Sequence, residues 1–102
     1  MGSTGRSEPA PVLSRARVRV QGRVQGVFFR ASAAQQAADR GLAGWVRNEA
    51  DGSVVAVFQG SRADVDDLID WCHRGPPAAR VTKVTVEWQP PVAGEARFSL
   101  QW

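Results

Sequence analysis

A chain of 102 residues, 43% hydrophobic and 23% charged, has room for one modest core and too little for two. Its net charge of +3 suits an anionic ligand but is too weak by itself to argue for nucleic acid. A single cysteine excludes an intrachain disulfide and a thiolate metal cage, and points to a reducing compartment, the cytoplasm.

Residues 1–13, MGSTGRSEPAPVL, are rich in Gly, Ser and Pro and read as a disordered tail before a domain at 14–102. They lack the charged and apolar regions of a signal peptide, and no later run reaches membrane-spanning length. Ala16, Val18 and Val20 alternate with Arg15, Arg17 and Arg19, a half-buried strand with a basic outer face. After a glycine loop, the alanine-rich stretch 30–40 reads as a helix with a smooth face of Ala33, Ala34, Ala37 and Ala38, ended by Gly41. A short strand at 43–48, the hairpin signal Asp51-Gly52, and the apolar run Val54 to Phe58 follow. Ser61 with Asp64 forms a variant capping box, and Val65, Leu68, Ile69 and Cys72 make the stripe of a second helix. Pro76-Pro77 lies beyond its end. Residues 81–88 are a strand with Val84, Val86 and Trp88 on one face, and Phe98, Leu100 and Trp102 alternate in a short last one. The order predicts an α+β ferredoxin-like two-layer sandwich: βαββαβ plus a short final strand, two helices on one face of a mainly antiparallel sheet.

The stretch GRVQGVFFR, Gly22 to Arg30, interrupts this regularity. A loop between a strand end and a helix start is a natural anion site, because the orphan N–H groups there point outward. Gly22 and Gly26 can turn successive N–H groups inward, and the guanidinium of Arg30 suits a phosphoryl group. A cation in a first helical turn opposes the dipole by about 0.3–1 kcal/mol, so an anionic partner would compensate. The alternative is a tight turn with a solvated arginine. Asn48, at the end of the second strand, can hold a water by one group and a ligand by the other, or simply start the hairpin turn.

Taken together, VQGRVQGVFFR (residues 20–30) and GWVRNEADGSVVAVFQG (residues 44–60) resemble both signature motifs of the acylphosphatases. The resemblance continues through DLIDWCHRGPPAARVTKV, residues 67–84, and spans about 14–102. It implies hydrolysis of the carboxyl–phosphate bond of an acyl phosphate, with no metal or cofactor. It places a phosphate cradle on the backbone N–H groups of Arg23, Val24, Gln25, Gly26 and Val27. By the same resemblance Arg30 binds phosphate and Asn48 positions the attacking water. The partner is then a small acyl phosphate, with phosphate or sulfate fitting the cradle, and nothing demands more than a monomer. Glu49 departs from the family pattern and sets a negative charge beside the anion site.

Two other readings stay open. One is a non-catalytic module on the same fold that binds RNA or a phosphorylated ligand. An RNA-reading sheet wants exposed aromatics on central strands, whereas Val18, Val20, Val54 and Phe58 serve packing. The other is a domain acting on carbamoyl phosphate within a larger maturation enzyme, against which the short chain argues. Cys72 belongs to the apolar stripe and does not face the adjacent His73. Asp64, Asp66, Asp67 and Asp70 read as a solvated face. The four tryptophans read as core or rim, and Phe28 and Phe29 are expected to pack into the core.

Overall fold

The structure is a computed structural model and describes residues 12–102. Residues 1–11, most of the expected tail, lie outside the described residues. Five strands and two helices follow: β1 (Leu13–Arg23), α1 (Phe29–Asp39), β2 (Ala43–Asn48), β3 (Val54–Ser61), α2 (Arg62–Arg74), β4 (Arg80–Gln89) and β5 (Phe98–Leu100). The first strand begins one residue before the expected boundary, because Leu13 is paired with Ser61 of β3.

The strands form one sheet in the order β4-β1-β3-β2-β5. Only the β2–β5 pair is parallel. With both helices on one face, this is the ferredoxin-like α+β sandwich. β1 and β2 are each antiparallel to β3, so they run the same way, and β5 follows them. Three strands therefore finish at one end of the sheet, where α1 starts.

Alternation on each strand decides what the helices cover. Ala16, Val18 and Val20 of β1, Val46 of β2, and Val54, Ala56 and Phe58 of β3 form the core with Ala33, Ala37, Val65, Leu68 and Cys72 of the helices. Burying a side chain such as Leu68 or Phe58 stabilises by about 1.5–3 kcal/mol. α1 buries alanines at 33 and 37, so it sits close to the sheet; Ala38, expected on that face, is exposed. Gly41 at φ 66° ends α1: its N–H donates to Ala38 O at 3.0 Å and that of Leu42 to Ala37 O at 2.9 Å. Ser61 caps α2 as expected, accepting from the Asp64 N–H at 3.2 Å.

Gly44 is the register partner of both Phe58 and Phe98. It offers no side chain between them, and the two rings stack at 5.6 Å across it. This contact fastens the three-residue β5 to the central strand.

The opposite sheet face departs from expectation at one point. Arg17 and Arg19 are half-buried, but Arg15 is only 9% exposed. The β4–β5 connection crosses this face and covers it. The Gln59 carboxamide donates to Val92 O and accepts from Val92 N–H, both at 2.8 Å, while Arg15 pairs with Glu95.

A Cβ at Gly44, where φ is 130°, would lie 1.8 Å from the Val57 carbonyl oxygen. Gly44→Ala should therefore lower the unfolding free energy by more than about 1 kcal/mol in urea denaturation, beyond what Ser61→Ala costs through its lost cap.

Candidate functional site

At the end of β1 the ladder shifts register between Gln21 and Gly22. Gly22 has φ 124°, and a Cβ there would sit 2.1 Å from the Arg80 carbonyl oxygen, so the close approach to β4 requires glycine. The loop then runs through residues 24–28 into α1. The first bond of the helix runs from Ser32 N–H to Phe28 O at 3.0 Å. Among the described residues no carbonyl accepts from the N–H groups of residues 25–31. These free donors stand where the helix dipole is positive, as an anion site requires.

The residues of the loop serve two surroundings. Val24 and Gly26 line a cavity of about 310 Å³ together with Phe28, Arg30, Asn48, Leu100 and Trp102. Gln25 turns away and ties the loop to the β2–β3 hairpin, with Nε2 donating to Glu49 O at 2.7 Å and to Ser53 O at 2.9 Å. The Ser53 carbonyl also accepts from Glu49 N–H at 2.8 Å. Val27 is buried in the core, and Arg23 is exposed at the strand end. Gln25 and Val27 could thus meet a ligand through main-chain N–H groups, while their side chains lie elsewhere, and Arg23 is still the ladder partner of Arg80 in β4.

Arg30 and Asn48 do come together on one cavity wall. Asn48 ends β2 opposite Val54 and is half-exposed. Arg30 lies in the first turn of α1, and its Nη1 donates to Gln101 O at 2.7 Å. Its guanidinium also lies over the Trp102 ring, 4.6 Å from the centroid. One of its five N–H groups is used this way, and the others are available to an anion. Gln101 is itself pinned, with its N–H on Val46 O at 2.8 Å. The segment after β5 thus holds Arg30 beside β2.

Glu49 does not direct its charge at the cavity. Arg47 Nε donates to Glu49 Oε2 at 2.6 Å, and Arg47 belongs to the opposite face of β2 from Asn48. At the hairpin tip Asp51 accepts from the Ser53 hydroxyl at 2.6 Å and the Ser53 N–H at 2.9 Å, and it pairs with Arg19. The Ser53 hydroxyl foremost, then its N–H, holds the Asp51 carboxyl below its ordinary value of 3.8.

Other candidates resolve into structure. Cys72 is fully buried, and burial pushes its thiol up to about 12, which removes it as a nucleophile at neutral pH. His73 Nδ1 lies 3.0 Å from Ile69 O in its own helix. Asp66, Asp67 and Asp70 are exposed, as a solvated face. Among the described residues no group of three or more His, Cys, Asp or Glu could hold a metal, and no helix is long and apolar enough to cross a membrane.

Phe29 is buried, tilted against Trp71 at 5.2 Å, but Phe28 is not in the core: it is 81% exposed. Its φ of 65° and ψ of 23° turn the side chain outward, which no periodicity announces. Leu100 and Trp102 are the other cavity residues that motif reading passed over. Their alternation in FSLQW was the available signal.

Comparison with known proteins bears on this geometry. A profile of the acylphosphatase family matches residues 16–100. A relative named acylphosphatase from Roseiflexus sp. is 50% identical over 90 residues, covering 88% of this chain and 97% of its own. One of the same name from Rubrobacter xylanophilus is 51% identical over 94 residues, covering 92% and 86%. The crystal structure of acylphosphatase from Bacillus subtilis superposes with a TM-score of 0.83 at 35% identity, over 89% of this chain and 100% of that one.

Two outcomes test the site's architecture. Gln25→Glu keeps the shape but loses both donors, so it should cost about 1–3 kcal/mol in urea denaturation and loosen the loop against the hairpin. Asp51, with its lowered folded value, contributes stability that is fully present well above 3.8 and is lost as pH falls through that lowered value. The stability lead of the wild type over Asp51→Asn should accordingly be flat at neutral pH and shrink only in strongly acidic solution, read from unfolding midpoints.

Proposed function

The chain belongs to the acylphosphatase family, and on that premise we propose how its residues divide the work. The protein is an acylphosphatase, a hydrolase acting on an acid anhydride. The observation that carries the assignment is the meeting, in one cavity, of a helix start with free N–H groups, one guanidinium and one carboxamide.

The N–H groups of Arg23, Val24, Gln25, Gly26 and Val27 cradle the phosphoryl oxygens, and Arg30 clamps them from the helix. Such donors are fixed before the substrate arrives, so they stabilise equatorial charge without reorganising. The leaving group is a carboxylate whose conjugate acid has a pKa of about 4, so no general acid has to protonate it. Asn48 orients water for in-line attack on phosphorus. The P–O bond to the acyl carboxylate breaks as the P–O bond to water forms. With no side-chain base in place, the phosphoryl oxygens of the substrate take the water's proton.

The reading needs no metal or cofactor. It places the protein in the cytoplasm as a monomer, with residues 14–102 as the folded domain. A nucleic-acid module is less well supported, since the outward positions where β1 and β3 pair are Leu13, Arg15, Arg17, Arg19, Val55, Val57, Gln59 and Ser61, with no aromatic among them.

Hydrolysis of benzoyl phosphate in the presence of chelator tests the roles. Arg30→Gln should lose affinity and rate together, about 10²–10³ in kcat/KM. Asn48→Ala should lose a similar factor chiefly in kcat. Full turnover by Asn48→Ala would remove the water-positioning role, and a folded wild type without turnover would leave a phosphate receptor.

A further inference from the structure

The polar groups of the cavity account for the phosphoryl half of a substrate and leave the acyl half unassigned. We infer that Phe28 and Trp102 form the acyl-group subsite and make it select planar apolar acyl groups; this rests on the site assignment above.

Phe28 has no structural reason to be a phenylalanine. It is the residue before α1, in a left-handed conformation with φ 65°, where bulky residues are rare and glycine or asparagine is at ease. Its ring is 81% exposed and outside the core. The position therefore carries both backbone strain and a ring in water, and neither is repaid by packing. Strain of this kind belongs with a ligand that the side chain meets. Trp102 poses the same question. It is 95% exposed, yet its ring is held in place by the Arg30 guanidinium over one face and by Gln101, pinned to β2. Both rings line the cavity that holds Arg30 and Asn48, with Leu100 and Val24 adding apolar surface.

Among the described residues Arg30 is the only charged side chain on the cavity wall, and the phosphoryl group uses it. Apart from Arg30 and Asn48, which the phosphoryl group and the water use, the described lining residues are apolar or glycine. An aryl or other flat apolar group would cover the two rings, remove them from water and gain stacking contact. A cavity of about 310 Å³ lies at the small end of ligand sites, which suits one ring beside a phosphoryl group.

The test compares kcat/KM for benzoyl phosphate and acetyl phosphate, in the wild type and in Phe28→Ala and Trp102→Ala. Dividing the variant's benzoyl-to-acetyl ratio by that of the wild type cancels the intrinsic reactivity of the two substrates. Each variant should lower this ratio about five- to tenfold, with Phe28→Leu and Trp102→Phe restoring most of it. A structural role, or one exerted only through Arg30, would change both substrates in parallel. Parallel changes, or unchanged ratios, overturn the subsite while leaving the phosphoryl site intact. A folded wild type that turns over neither substrate overturns the site assignment itself, and the subsite with it.

Discussion

Everything at the candidate site depends on β3 pairing with β1 on one side and β2 on the other. Because both pairs are antiparallel, β1 and β2 must point the same way and end together. The parallel β5 adds a third end to the same edge. A glycine loop, a carboxamide and a stretch after the last strand, far apart in the chain, are adjacent for that reason alone. Slippage of β3 by one residue would turn Val54, Ala56 and Phe58 outward and separate the walls of the cavity.

That arrangement has a topological requirement. β4 and β5 occupy opposite edges, so their connection must cross the whole sheet. It does so on the face away from the helices, where Gln59 pairs with the main chain of Val92 and Arg15 with Glu95. Two polar side chains on a nominally solvated face thereby become part of a second, thin interior. Glu95 matches the charge of Arg15, so the burial of that guanidinium is tolerable. The stacked Phe58 and Phe98, meeting over Gly44, complete the attachment on the other face.

Most of the fold was legible because it rests on local signals. Alternation in β1, the alanine face of α1, the Ser61 cap and the Asp51-Gly52 turn each state their structure within a few residues. The two motifs likewise marked Arg30 and Asn48, which the structure sets on one cavity. Three features were hidden for physical reasons. Arg15 looks solvated by periodicity, and only the irregular segment around Val92 and Glu95 covers it. Phe28 beside Phe29 reads as a core pair, but a left-handed backbone at Phe28 sends the neighbouring rings in different directions. Trp102 reaches the site through the sheet order, which no short window contains. Glu49 looked adverse in sequence, yet strand alternation brings it to Arg47 instead.

The bond from Arg30 to the carbonyl of Gln101 spans 71 residues of chain. During synthesis the loop at 24–28, α1 and even the β2–β3 hairpin can assemble while that partner is still within the ribosome. Until residues near 101 emerge, Arg30 lacks its anchor, and β2 presents a bare edge that awaits β5. Completion of the site thus waits for residues near 101, and the interval before they emerge is the one in which an exposed strand edge is open to wrong partners.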